Sequence, residues 1–246
     1  DRVVSGDPNE NVASYSSYIQ THRFNAYGSY RLNYLNEKAS TTFGFTYSAA
    51  PAGRFSYTYS GDMNGDNQTS NDLIFIPRSQ SDIMLRDLGT YTAAQQWADL
   101  DKYITQDSYL NGRRGQYAER NGAELPWSAN FDFKVIQDFY IKVGGHKNTL
   151  QFTLDVFNFG NMLNRDWGRN YFLSNDQSAI MSFRGFTTPG TLNPATSSST
   201  YSSTNSQAVF SFNPQNVGRS PWNVSSSSVP SVAARWISQL GVRFNF

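Results

Sequence analysis

Hydrophobicity in this chain recurs with period two, and that pattern restricts it to strands with one apolar face. From Phe24 to Tyr34 the even positions are Phe24, Ala26, Gly28, Tyr30, Leu32 and Tyr34. The odd positions hold Asn25, Ser29, Arg31 and Asn33, with Tyr27 the single ring among them. A second stretch sets Phe43, Phe45, Tyr47, Phe55, Tyr57 and Tyr59 opposite Thr42, Thr46, Ser48, Arg54, Ser56 and Thr58. Its parity survives Pro51 to Gly53, which predicts one long strand with a bend at a rim, where a proline is tolerated. A third strand places Trp127, Ala129, Phe131, Phe133, Val135, Phe139, Ile141 and Val143 against Ser128, Asn130, Asp132, Lys134, Asp138 and Lys142. A fourth carries Leu150, Phe152, Leu154 and Val156, and a fifth runs from about Ser231 to Phe246.

Composition narrows the class. The chain is 15% aromatic and only 16% charged, with a net charge of +1, and its mean hydropathy is −0.55. Rings this abundant in a polar chain fit a transmembrane β-barrel, which alternates lipid-facing and lumen-facing residues. The balanced charge offers no footprint for nucleic acid. The absence of cysteine excludes disulfides and thiolate chemistry. Apolar runs reach about five residues, against the ~18 of a membrane-spanning helix. A soluble β-sandwich also alternates, but its strands are shorter and its inner face aliphatic. Phe43–Tyr59 alone would span about 55 Å at ~3.3 Å per residue.

The connections are lopsided. Asn36–Ser40 and Gly144–Asn148 read as tight turns, whereas Ser60–Pro126 and Phe157–Pro230 are long. Short turns on one side and long loops on the other are the periplasmic and extracellular faces of an outer-membrane barrel. The first long loop contains one predicted helix, with Thr92 as N-cap and Trp97, Leu100, Tyr103 and Ile104 at helical spacing. The second contains a predicted strand pair, Tyr171–Gly185 and Gln207–Asn213, around the Ser/Thr-rich tract Thr196–Ser206. The first residues carry no secretory leader pattern, so the numbering is expected to start within a longer polypeptide.

No catalytic motif emerges. His22 and His146 fall at opposite ends of the strand pattern, so a two-histidine metal site is not expected. The alternation of Asp132, Lys134, Asp138 and Lys142 is a mixed-charge ladder on the lumen face, structural by default. The sharpest constellation is Asp62-Met63-Asn64-Gly65-Asp66-Asn67 with Asp72 downstream. Oxygen side chains at positions one, three and five of a tight loop are how an EF-hand begins to wrap Ca²⁺. Asp62, Asn64, Asp66 and Asp72 are therefore candidate calcium ligands in an extracellular loop. The loop departs from the EF-hand in having Asn67 at the glycine position and Leu73 at the twelfth, and polar-turn chemistry accounts for the same residues.

Several segments together resemble one family. They are Asn71-Asp72-Leu73-Ile74-Phe75-Ile76-Pro77, then Arg120-Asn121-Gly122 with Pro126-Trp127, and Gln137-Asp138-Phe139. Leu150-Gln151 with Asp155-Val156-Phe157-Asn158, Asn161–Asn164, Trp167-Gly168 and Arg235–Phe246 follow in order. This series is similar to TonB-dependent outer-membrane receptors of the Oar-like, SusC-related branch. The resemblance implies that residues 1–246 are the C-terminal portion of a 22-stranded barrel with a plugged lumen, and that the five strands are its last five. It implies uptake of a bulky solute (a peptide, glycan or chelate) at the cell outer membrane, without enzymatic activity. It further implies a plug and TonB-contacting segment outside this chain, and as partners outer-membrane lipid, the barrel-assembly machinery and a surface lipoprotein lid. Trp236, Phe244 and Phe246 fall in the segment resembling the assembly signal. The alternatives are a barrel without transport, as enzyme or adhesin, and a secreted β-sandwich binding module.

Overall fold

The computed structural model describes residues 3–7, 11–190, 205–224 and 234–246. Twelve strands occur among them: β1 (Phe24–Tyr34), β2 (Ala39–Pro51), β3 (Arg54–Ser60), β4 (Met84–Leu85), β5 (Ala123–Glu124), β6 (Trp127–Val143), β7 (His146–Phe157), β8 (Tyr171–Phe172), β9 (Gln177–Thr187), β10 (Gln207–Phe212), β11 (Asn223–Val224) and β12 (Ile237–Asn245). Three helices accompany them: α1 (Ala93–Gln106), α2 (Ser108–Gly112) and α3 (Phe159–Leu163). The fold is mostly β, and no described helix is long and apolar enough to cross a membrane. The chain divides into two compact units, one of Asp1–Ile19, Gly53–Leu125 and Leu173–Asn223, the other of Gln20–Ala52, Pro126–Phe172 and Val224–Phe246.

The second unit is an antiparallel sheet in the order β1-β2-β6-β7-β12. Its two hairpins obey local backbone rules. Gly144 and Gly145 both take positive φ, the geometry of a two-residue turn whose twist matches the strands it joins. Leu35, Asn36 and Glu37 also have positive φ and close the β1–β2 hairpin, with Lys38 N–H donating to Leu35 O at 3.1 Å. Both turns are shorter than the sequence suggested, because His146 and Ala39 are already in strand. Register carries the expected parity through the whole sheet. Tyr30 pairs with Phe43, Phe43 with Val135, Val135 with Leu154, and Leu154 with Leu240. Among the described residues the sheet is open, with β1 and β12 at its edges; a closed barrel is not seen.

One expectation is overturned. Phe43–Tyr59 is not a single bent strand: β2 ends at Pro51, and β3 restarts at Arg54 in a different sheet. Phe55, Tyr57 and Tyr59 are fully buried in a protein core, as are Ser56 and Thr58 on the opposite parity. Alternation states which side chains share a face, not what covers that face, so it could not separate lipid from protein interior.

The first unit is built largely from the two long loops, and it has a core of its own. Its mixed sheet runs β4-β10-β9-β3-β5, with β9 and β10 forming the predicted antiparallel pair. The first strand of that pair begins at Gln177, and Tyr171–Phe172 is separate. The Ser/Thr-rich tract lies outside the described residues up to position 204. Helix α1 begins as predicted: Thr92 Oγ1 accepts from Gln95 N, and Gln95 Oε1 accepts from Thr92 N at 2.9 Å, a reciprocal cap that satisfies two otherwise orphaned donors. Leu100, Tyr103 and Ile104 are buried. It is not the only helix of the loops, since α2 follows directly and α3 lies in the other unit.

The residue that locks α1 to the sheet is polar. Gln96 is 0% exposed. Its Nε2 donates to Arg86 O at 2.7 Å and to Tyr91 O at 3.1 Å, and its Oε1 accepts from Phe212 N at 3.0 Å. Replacing Gln96 by Leu removes all three hydrogen bonds and leaves the buried Phe212 N–H without its acceptor, a loss of about 1–3 kcal/mol. Amide exchange at Phe212 should therefore accelerate at least about tenfold in Gln96→Leu, at ~1.4 kcal/mol per decade. Unchanged exchange there would show that the amide does not hold this contact.

Candidate functional site

Two surfaces and one loop hold the residues singled out by the sequence. The first surface is the apolar face of the five-stranded sheet. Phe43 and Phe133 stack at 6.4 Å between ring centroids, Phe45 and Phe131 lie 6.1 Å apart, and Phe139 meets Phe152 edge-on at 6.2 Å. Gly28 sits opposite Phe45, whose ring fills the space a Cβ would need, 2.6 Å from its ideal position. Despite these contacts the face remains open. Leu240 is 80% exposed, and Tyr30, Val242 and Phe244 are also exposed. Of the three residues in the assembly-signal segment, Phe244 lies in β12 and stacks on Phe246 at 6.1 Å. Trp236 precedes the strand, and all three are exposed.

Two polar residues interrupt this face near the turn end, Thr41 and Gln137, which are register partners. They satisfy one another: Thr41 Oγ1 donates to Gln137 Oε1 at 2.7 Å, as does Tyr34 Oη, and Gln137 Nε2 donates to the carbonyls of Ser40 and Asp138. Gln137 is the lone polar residue at an apolar position of β6, a signal visible in the sequence and not used.

The opposite face is a connected polar surface. Lys134 and Asp155 form an ion pair at 2.9 Å. The Asp138 carboxylate accepts from Gln151 Nε2 at 2.8 Å and from Tyr140 Oη at 3.1 Å. Arg31 reaches both Tyr140 Oη and Ser40 Oγ. Asp132 accepts from Asn130 Nδ2 and from Asn158 N. The ladder read from the sequence is thus a structural network, extended by Arg31, Tyr140 and Gln151. His22 precedes β1 and His146 follows the Gly144-Gly145 turn, so they occupy opposite ends of the sheet.

The loop belongs to the other unit. Asp62 organises it: Oδ1 accepts from Gly65 N at 2.7 Å and Asp66 N at 3.1 Å, and Oδ2 from Asn67 N at 2.9 Å. Asn67 takes a φ of 66°, so it supplies the left-handed conformation for which asparagine is the best substitute for glycine. Asn64 Oδ1 accepts from Asp66 N. Asp66 accepts from Gln68 N at 2.8 Å and Asn71 Nδ2 at 2.7 Å. Partial burial opposes ionisation of Asp66, but the hydrogen bonds from Asn71, Gln68 and Asn64 outweigh it and hold the carboxyl below its ordinary range. Burial raises that of Asp72, assisted by the negative charges of Asp66 and Asp62 and opposed by the N–H groups of Met63 and Asn64. The structure therefore brings Asp62, Asn64, Asp66 and Asp72 together, and adds Asn71. No group of three or more His, Asp or Glu side chains among the described residues forms a ready-made metal cage.

No protein family, curated protein or solved structure matches the chain.

The polar network makes a specific prediction. In Asp138→Leu, Gln151 and Tyr140 lose a charged acceptor worth about 1.5–3 kcal/mol per hydrogen bond. Hydrogen exchange at the β6–β7 ladder amides should rise at least about tenfold, at ~1.4 kcal/mol per decade, while exchange at α1 stays unchanged. Equal protection in variant and parent would contradict the role given to Asp138.

Proposed function

We propose that the five-stranded sheet is a section of the wall of an outer-membrane β-barrel, and that the chain is the C-terminal portion of a TonB-dependent receptor taking up a bulky solute. The observation that carries this reading is the exposed, ring-rich apolar face that spans five registered strands and is broken near the turn end by the Thr41–Gln137 pair. On β6 that face runs from Phe131 to Ile141, about 33 Å of strand at ~3.3 Å per residue. Tilted by ~40°, this gives about 25 Å of height, the apolar band of such barrels. A soluble protein seldom leaves so large a contiguous apolar surface uncovered.

Topology agrees with this assignment. Both tight turns lie at one end of the sheet, and the chain leaves for the other unit only from the opposite end. In a barrel wall the turn end is periplasmic, and the unit made from the long loops is extracellular. The polar network is then the lumen side, where a plug or water would meet it. The two open edges need further strands in a membrane, because unpaired N–H and C=O groups in lipid cost several kcal/mol each. Those strands, the plug and the TonB-contacting segment would come from the rest of a longer polypeptide. The resemblance in sequence supports transport as the activity and the cell outer membrane as its place.

One substitution separates lipid from water as the solvent of the apolar face. Leu240 is paired near the middle of the band and is largely exposed. In water Leu240→Arg should change stability by no more than about 0.5 kcal/mol. Facing the bilayer midplane it should cost about 2–4 kcal/mol and lower the yield of folded protein in membranes. Full tolerance of Arg at 240 would exclude the barrel wall.

Sidedness gives a second test on intact cells. A cysteine at Ser70 of the long-loop unit should react with an impermeant thiol reagent, and one at Glu37 in the β1–β2 turn should not. The reverse pattern would invert the proposed orientation.

A further inference from the structure

The Asp62–Asp72 loop contains buried oxygens that no protein donor satisfies. Asp72 is 1% exposed and Asn71 3%, and Asp72 Oδ1 and Asn71 Oδ1 both lack a hydrogen-bond partner. Leaving a carboxylate oxygen buried and unpaired is expensive. The other oxygen of Asp72 accepts from Met63 N at 2.7 Å, so this carboxylate is held against the backbone between Asp62 and Asn64, facing into the loop. Such a group asks for a positive partner, and no Lys or Arg among the described residues is hydrogen-bonded to it.

The neighbouring polar atoms have the spacing of a coordination shell. Asn64 Nδ2 lies 2.9 Å from Gly6 O and 3.3 Å from Asp66 Oδ2, and Asn71 Nδ2 lies 2.7 Å from Asp66 Oδ2. Oxygens bound to one Ca²⁺ at 2.3–2.6 Å sit about 3 Å from each other. Asn64 is fixed by its neighbours, because its Oδ1 accepts from Asp66 N. Asn71 Oδ1 has no partner, so turning the Asn71 amide by 180° about Cβ–Cγ exchanges its oxygen and nitrogen without facing either to a donor of the wrong kind. The Asn71 oxygen then lies next to Asp66 Oδ2, in the loop whose backbone Asp72 holds at Met63.

We propose that this loop holds a calcium ion, ligated by the carboxylates of Asp66 and Asp72, the amide oxygen of Asn71 and the Gly6 carbonyl, with Asn64 holding Gly6 and Asp66 in place. Water completes the six to eight oxygen ligands that the ion takes. Asp62 is a positioning residue, since its oxygens are engaged in folding the loop. An all-oxygen set with two carboxylates and neutral carbonyls suits a hard cation, and its size range favours Ca²⁺ over the smaller, octahedral Mg²⁺. The ion would tie the segment around Gly6 to the loop and to β3, whose Tyr59 N–H donates to Asp72 O at 2.8 Å. The inference is independent of the membrane reading, because it rests on this unit alone.

Terbium luminescence excited through tyrosine, with Tyr59 adjacent, reads the site directly on the purified protein. Saturable Tb³⁺ emission should be displaced by Ca²⁺ with a Kd below about 1 mM and only weakly by Mg²⁺. Asp66→Asn and Asp72→Asn should each weaken Ca²⁺ at least about tenfold, the loss of one ligand charge. Asp101→Asn, which removes an exposed carboxylate of α1, should not. Circular dichroism without calcium checks that the variants are folded. No saturable emission from the parent protein, no displacement by about 10 mM Ca²⁺, or folded variants that bind like the parent would each overturn the assignment.

Discussion

The in-phase pairing of β6 with β2 on one side and β7 on the other is the constraint on which the sheet depends. In a strand the side chains alternate, so a slip of one residue would move Phe131, Phe133 and Phe139 of β6 to the polar face. Here Phe43, Val135, Leu154 and Leu240 share a row across four strands. The same register puts Lys134 beside Asp155 and Asp138 beside Gln151 on the other face. Each face therefore enforces the phase that the other needs. The ion pair contributes little by itself where it is exposed, but mispairing would bury charge among rings.

The two units solve burial differently. In the long-loop unit, aromatic residues are covered by protein: Tyr59 stacks on Phe210 at 4.6 Å between centroids, and Tyr57 Oη donates to Asp107 Oδ2 at 2.6 Å. In the sheet unit comparable rings are left open. Loop segments with a core of their own hold a fixed shape, whereas unstructured loops would pay ordering entropy whenever they bound a ligand. The proposed calcium ion serves the same end, because it cross-links chain segments that are otherwise held by a few backbone hydrogen bonds.

Much of the candidate loop was legible beforehand. The spacing of Asp62, Asn64 and Asp66 marks an oxygen-lined turn, and Asp72 belongs with it. The parts that were not legible have a common cause. Gly6 and Asn71 join through backbone and side-chain contacts that depend on how Val4 bridges the strand segment at Asp72 and Leu73, a non-local pairing without a local signature. Likewise Gln96 has the helical spacing of Leu100, Tyr103 and Ile104 on the buried stripe of α1, but as a polar residue it adds nothing to the hydrophobic period. Only the carbonyls of Arg86 and Tyr91 and the amide of Phe212 make its burial favourable.

By itself the sequence determined the period, the turns and the caps. Those depend on interactions between residues a few positions apart: alternation along a strand, positive φ at Gly144 and Gly145, and the Thr92–Gln95 cap. It also determined the two faces of each hairpin, because parity passes from β1 to β2 and from β6 to β7 through short turns, whereas the β2–β6 and β7–β12 pairings join strands far apart in the chain. Tertiary structure alone decided where each apolar face goes. Phe45 and Phe55 carry the same parity and nearly the same surroundings in sequence, yet one lies on an open face and the other in a closed core. The break at Pro51–Gly53 sends β3 to pair with β5 and β9, strands far away in the chain. Burial is set by the sum of such long-range pairings, and no local window contains it.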